Sequence, residues 1–475
     1  MSDSVPKDVT YDPEIGATKK DSSLLSVDSS AESLSVGIQI AQESENEIRY
    51  RTCSWQKTAA LLFSEYICLA MVSFPWSFSV LGMVPGVIVT LAVASTCLYT
   101  SLILGRFCLK HPEMRDICDI GRYLFGGSEL AYNLTAIMFI LNNVFIQGLH
   151  VLTGAKYLNT LSNSAECTIV FGVITSIICF IISLPRTLNQ MSWLGTFSAV
   201  TMGLAVLLTM IFSGIQSHPA GYIAGEEPLV TAIPVAGTTF ISGMSAFLNI
   251  TYTLVGQAAI PSFIAEMKNP KDFPKSSLGR YHRRNHHLYD LRSCRVSLLL
   301  ETNTSLRPRS VRCSPCSRKS RFLSRYRQSS SWELCIPSIS ARFIFFRLFR
   351  ESRHRHSNTV LGWGVWIGIV ATTWVFAWII AEIIPFFSDM LSLMSSLFDG
   401  WFGFIFWAMA YLTMYPGQQK WAGPLRSAET LLNYFFILLG AYITVAGTYT
   451  SVESIIESYQ AQEVGGVFTC ASNAL

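Results

Sequence analysis

Residues Trp55–Gly82 read WQKTAALLFSEYICLAMVSFPWSFSVLG. The run is apolar and long enough to cross a bilayer, which takes about 20 residues. It does not read as one smooth helix. Ser73, Phe74 and Pro75 sit past its middle, and a proline lacks a backbone donor and clashes with the preceding turn. Glu65 lies ten residues upstream of Pro75. An acid inside a span is costly unless it is paired, protonated or hydrated. Freed backbone groups at membrane depth are tolerated only against protein or a water-filled cavity. A broken span that carries an acid suits the binding of a small zwitterion, because half-helix ends and bare carbonyls can meet the ligand's charges. The plainer reading of the same letters is a proline-kinked packing helix.

Composition sets the class. Of 475 residues, 50% are hydrophobic and 14% charged, and mean hydropathy is +0.38. That charged fraction is far below the roughly 25% of soluble domains, so the chain is expected to be a polytopic helical membrane protein. Cys68, Cys97, Cys167 and Cys179 fall in apolar spans and are expected to be small buried hydrophobes. The remaining cysteines suggest no disulfide framework, and Cys313 with Cys316 is a lone pair, so no metal site is expected. Residues 1–51 are polar and rich in Ser, Glu and Asp, as a disordered cytoplasmic tail is, and they contain no cleavable signal peptide.

The remaining spans are expected at about 84–104, 130–152, 167–184, 191–212, 235–260, 360–384, 391–411 and 431–450, with a polar C-terminal tail over 458–475. Basic residues mark cytoplasmic loops. Arg106, Lys110, Arg115 and Arg122 follow span 2, Arg186 follows span 4, and Lys268, Lys271 and Lys275 follow span 6. Arg342, Arg347 and Arg350 precede span 9, in the basic aromatic collar over 341–356, and Lys420 and Arg426 follow span 10. The alternation is self-consistent with a cytoplasmic N-terminus. Span 3 carries Asn142, Asn143 and His150, with His150 expected near a helix end. Asn133 and Asn249 match the glycosylation pattern but lie in or beside spans, which discounts them.

Span 6 is the second interrupted one, with Thr251, Thr253, Gly256 and Gln257 breaking its apolar run and Pro261 closing it. Two discontinuous helices five apart are the mark of an inverted repeat with the substrate between them at the midplane. Three stretches carry a resemblance: SFPWSFSVLGMVPGV, GQAAIPSFIAEMKNP over 256–270, and the late IIPFFSDMLSLMSSLFDGWFGFIFW. Together they resemble the amino acid/auxin permease family, and within it the fungal neutral amino acid permeases. The resemblance covers about 51–276 and 340–457. It implies an all-α, LeuT-like 5+5 inverted repeat with an eleventh helix, and proton-coupled uptake of a neutral amino acid. It also places Leu69, Ala70, Met71, Val72 and Ser73 in the unwound stretch of span 1. Many family members have glycines there, whereas this chain has none between Leu69 and Pro75.

The substrate set expected on this reading is Leu69, Ala70, Met71, Val72, Ser73 and Phe74, faced by Thr251, Tyr252 and Gly256. Phe74 and Trp76 would shape the side-chain subsite, and Glu65 is the coupling candidate. Glu266 would gate the cytoplasmic side or pair on the surface. No nucleotide-binding loop, HExxH or nucleophile elbow is present, so neither an enzyme nor a primary pump is expected, and no cofactor. The partners expected are a neutral amino acid, a proton and the lipid bilayer, without nucleic acid. The plasma membrane is the expected location, with the vacuolar membrane second. The rival readings are a facilitator or channel for small polar solutes, a non-transporting amino acid sensor, and an inactive variant.

The last rival arises from 278–340. These 63 residues hold 12 Arg, 13 Ser and 9 Leu beside one Lys. Thirteen basic residues against three acidic give the segment +10, so the rest of a chain of net charge +4 carries −6. The three dominant amino acids are those with the most codons. The segment stands where spans 7 and 8 of an eleven-helix protein belong, yet no run in it is apolar enough to span. Its codons also permit apolar runs in shifted frames. The expectation is a translation in the wrong reading frame over 277–340, against the alternative of a genuine basic insertion.

Overall fold

The computed structural model describes residues 48, 50–66, 70, 73–189, 192, 197, 200, 204, 231–273, 335–349, 352, 354, 357–461 and 466–470, with backbone alone at 63–66 and 335–338. The expected fifth span falls largely outside the described residues, as do the N-terminal tail and most of 277–340.

The interrupted first span is two helices, α1 (Trp55–Tyr66) and α2 (Phe74–Leu81). Next come α3 (Met83–Lys110), the short α4 (Ile117–Leu124), α5 (Glu129–Ser162) and α6 (Thr168–Ile182). Span 6 is likewise two pieces, α7 (Phe240–Leu254) and α8 (Ile260–Glu266). Then follow α9 (Cys335–Leu348), α10 (Val360–Ile383), α11 (Phe387–Met414) and α12 (Pro424–Gln460). Within α11 the stretch Ser395–Ile405 is π-helical. Five of these helices, α3, α5, α10, α11 and α12, are long and apolar enough to cross a membrane.

Several expectations are corrected by the packing. The polar loop after span 2 contains α4, whose Asp116 side chain accepts from the Cys118 and Asp119 N–H groups at 2.9 and 3.0 Å. The cap pins an amphipathic turn whose Ile117, Cys118 and Ile120 are fully buried. Burial, with Asp119 adding repulsion, pushes the Asp116 carboxyl up to about 7. The basic collar is helical as far as Leu348, and Ala341, Phe343 and Phe345 within it are core residues. Cys167 is not a buried hydrophobe: it stands before the first turn of α6 and is disulfide-bonded to Cys470 in the C-terminal tail. Phe468 of that tail meets Trp378 of α10 edge to face. The parity of the basic loops puts both cysteines on the outer side, where a disulfide persists.

With little hydrophobic driving force between helices in lipid, close backbone approach and interhelical hydrogen bonds set the packing. The contact of α12 with the π-helical stretch shows this. A Cβ on Gly440 would lie 2.5 Å from the Gly400 carbonyl oxygen, and one on Gly400 would lie 2.6 Å from that of Gly440. Two turns on, a Cβ on Gly447 would lie 2.9 Å from the Ser396 Cβ. On the opposite side of the bundle α5 packs on α6, α9 and α10. Trp366 of α10 is buried there and donates to the Leu184 carbonyl at 2.8 Å.

Candidate functional site: two interrupted helices side by side

The halves of spans 1 and 6 are paired at both ends. On the outer side α2 packs along α7, with Phe74 and Phe78 against Ile250. The Met83 and Val84 N–H groups donate to the Thr231 and Ala232 carbonyls at 3.0 and 2.9 Å, tying the end of span 1 to the approach to α7. Gly82 makes this turn at φ +78°, where a side chain would strike the Ile233 backbone. On the inner side the Cys53 N–H donates to the Glu266 carbonyl at 3.0 Å, and the Lys268 N–H donates to the Cys53 carbonyl at 2.9 Å. The two spans therefore run antiparallel, each starting beside the end of the other. The described part of α1 ends at Tyr66 and α2 begins at Phe74, with 67–69, 71 and 72 outside the described residues; span 6 is interrupted between Leu254 and Ile260.

A helix end leaves up to four backbone groups without intrahelical partners. The N-terminus of a helix favours negative charge and the C-terminus positive charge. The end of α1, the start of α2 and the end of α7 thus supply carbonyls and N–H groups of the kind an α-amino and an α-carboxyl group need. Pro75, read from the sequence as a helix break, stands at the start of a helix rather than inside one. It sits in the first turn of α2, where its missing donor has no intrahelical acceptor to lose. The Ser73 hydroxyl turns back to the Ala70 carbonyl at 2.7 Å.

Of the expected substrate residues, Leu69, Met71 and Val72 lie outside the described residues, as does the Glu65 side chain. Ala70, Ser73 and Phe74 are buried beside the first interruption. Trp76 is 39% exposed, so it does not share the buried face of Phe74. Thr251 and Thr253 do not interrupt span 6. Their hydroxyls donate to the Phe247 and Asn249 carbonyls of their own helix at 3.0 and 2.8 Å, and α7 continues to Leu254. Tyr252 is half-buried on the last turn of α7, and Gly256 falls within the interruption. Gln257 faces α3 rather than a pocket, and its Nε2 donates to the Cys97 carbonyl at 3.2 Å and to Thr100 Oγ1 at 3.1 Å. It anchors the interruption to span 2.

Glu266 pairs with Arg342 of α9, and both side chains are buried rather than on the surface. The Arg342 guanidinium also lies 5.9 Å from the Tyr50 ring centroid. This ties the inner end of span 6 to α9 and to the chain entering span 1. His150 is in the interior of α5, which runs on to Ser162, and it is 2% exposed. Asn249 is fully buried and so not open to glycosylation, and Asn133 accepts from Arg347 at 2.8 Å.

Two polar residues were missed by the sequence reading. Gln147, one turn beyond Asn143 on α5, is 1% exposed with neither end of its amide partnered. Asp399, in the π-helical stretch, is 5% exposed. Both were legible as polar letters within apolar runs, but neither breaks a run long enough to draw notice.

The sequence pattern of transmembrane amino acid transporter proteins matches residues 51–280 and 336–453 and leaves 281–335 unmatched. A relative from Neurospora crassa, "N amino acid transport system protein", is 31% identical over 435 residues, covering 90% of both chains. A "Transmembrane transporter" of Gibberella moniliformis is 26% identical over 453 residues, covering 92% of this chain and 91% of that one. Among solved structures, MhsT in complex with L-phenylalanine aligns with a TM-score of 0.53 at 11% identity, over 86% of this chain and 100% of that chain. Fold and paired interruptions together define a LeuT-like membrane transporter rather than an enzyme. The chain belongs to the transmembrane amino acid transporter family, the amino acid/auxin permeases.

Proposed function

We propose that this protein is a secondary active transporter that imports neutral amino acids together with protons by alternating access. The observation that carries the reading is the pair of interrupted helices, antiparallel and tied at both ends, in a chain of this family. The α-carboxyl group would meet the N–H groups that open α2 after Ser73. The α-amino group would meet the carbonyls that close α1 and α7. Residues 69–74 form one side of the site, and Thr251, Tyr252 and Gly256 the other. An uncharged side chain suits a site where α7 offers no Lys, Arg, Asp or Glu. Glu65, in the last turn of α1, is the coupling candidate that the sequence offers, and Glu65→Gln tests it. The plasma membrane is the favoured location.

The test is uptake of labelled neutral amino acids by cells expressing the chain, and in parallel a version with a family-type segment in place of 278–340. Uptake should rise as external pH falls and collapse with a protonophore. Uptake indifferent to the protonophore would point to a facilitator. Absence of uptake of any amino acid by both versions would overturn the reading.

A further inference from the structure

We propose that Asp399 is the group that binds the coupled proton, an inference that rests on the transport reading above. It lies within the π-helical stretch Ser395–Ile405 of α11. Such widened turns occur frequently at functional sites. Its side chain is 5% exposed and its Oδ2 has no hydrogen-bond partner. Ser395 of its own helix lies beside it. The stretch has a defined orientation. Gly403, about one turn on, faces the Val255 side chain, and Val255 closes α7 at the second interruption. Gly400 faces α12, and Phe398 meets Phe145 of α5. Asp399 therefore lies on the side of α11 that looks toward the interruption of span 6.

Among the described residues, the other buried acids each face a partner on another helix. Asp389 accepts from Ser454 and Ser458 at 2.8 and 2.9 Å, and Glu266 pairs with Arg342. Titratable and charged groups also stand on the helices packed against the stretch. Tyr411 of α11 donates to Glu429 of α12 at 2.9 Å, and Tyr99 of α3 accepts from Asn433 at 2.7 Å. His150 of α5 has its Nδ1 at 2.7 Å from the Ile146 carbonyl of its own helix. On α7 the titratable side chain is Tyr252, and α7 carries no cation. The cations of the other neighbours, Arg106 and Lys110 on α3, Lys156 on α5 and Arg426 on α12, stand toward helix ends.

An isolated carboxylate out of water costs several kcal/mol. The closed packing around Asp399 accommodates the neutral carboxyl, so closure around an amino acid is coupled to proton capture. The proton arrives from water on the outer side and forms the carboxyl O–H bond, taking the charge from −1 to 0. It leaves to water on the inner side when the bundle reopens.

The experiment uses the purified full chain in lipid nanodiscs, with labelled L-alanine, L-leucine and L-phenylalanine as probes. Binding is measured at acid and neutral pH, and proton uptake on binding is followed with an indicator dye. Wild type should bind about tenfold more tightly at acid pH, within the usual range of coupling between two sites. Asp399→Asn should bind with no pH dependence, while Gly364→Ala, whose added methyl meets open space, keeps it. Asp399→Glu should keep the pH dependence with a displaced midpoint, which preserves a decisive measurement if Asp399→Asn fails to fold. The proposal is overturned by wild-type binding without proton uptake, by Asp399→Asn with the wild-type pH dependence, or by Asp399→Glu with an unmoved midpoint. The same measurements are made on the version with a family-type segment in place of 278–340, and failure of both versions to bind any probe overturns the transport reading itself, and this inference with it.

Discussion

Pro75 acts through its place in the first turn of α2. In a helix interior a proline costs about 3 kcal/mol or more. In the first turn of α2 it costs little, and what it does is forbid α1 from growing through into α2. Replacing it with alanine removes the ring and restores the donor, so the gap between Tyr66 and Phe74 can close into continuous helix. Pro75→Ala is expected to reach the membrane in normal amounts and to lose most of its amino acid uptake. Surface labelling and uptake, measured together, check this; wild-type uptake would mean that the interruption persists without the proline. Glu266 teaches a related lesson. Its position beside Lys268 suggested a surface pair, whereas the partner is Arg342, distant in sequence and buried with it. Removing one member of a buried pair typically costs 3–5 kcal/mol.

Between elements, the contact of α12 with the π-helical stretch is governed by glycine. At Gly440 the nearest atom to an added methyl is a backbone carbonyl at 2.5 Å, which cannot rotate away. Gly440→Ala must therefore push the two helices apart, at about 1–3 kcal/mol for an overpacked site. Thermal unfolding in detergent should show the loss. Gly364, whose added Cβ would have open space, gives a Gly→Ala control that should leave unfolding unchanged or slightly raised. Equal midpoints for Gly440→Ala and wild type would show that the helices do not meet there. The same contact sets the orientation of Asp399, so Gly440→Ala should also alter the pH response of binding, through position rather than charge.

For the whole molecule, the segment 278–340 decides whether this literal chain transports. The family pattern resumes at residue 336 after a gap that begins at 281, and α9 begins at Cys335. A frame error over 277–340 and a genuine basic insertion would both leave such a gap in the family pattern. Sequencing the transcript is expected to reveal splice or base-count differences near Ser277, Val296 and Pro337. A single open frame encoding the text as written would establish a genuine insertion instead.

Much of the architecture was present in the letters, because a bilayer imposes its rules on the sequence directly. Every backbone group in lipid must be satisfied internally, so spans, their parity and the two interrupted helices follow from hydropathy, basic loops, Pro75 and the Gly256–Pro261 run. What the letters leave open is which side chains meet. Thr251 and Thr253 look like interruptions, but their hydroxyls are satisfied within their own helix, so the break falls later, at Val255–Ala259. Gln257 looks like a site wall, yet it is turned to Cys97 and Thr100, some 160 and 157 positions away. Cys167 looks like an apolar filler, and its partner is 303 residues distant. Asp399 is one acid in an aromatic run until the π-helical turns, Gly400 against Gly440 and Gly403 against Val255, place it beside the interruption. Hydropathy is a local property of the chain and settles the spans. The direction a side chain faces depends on helix rotation and on partners hundreds of residues away, and only the tertiary structure decides it.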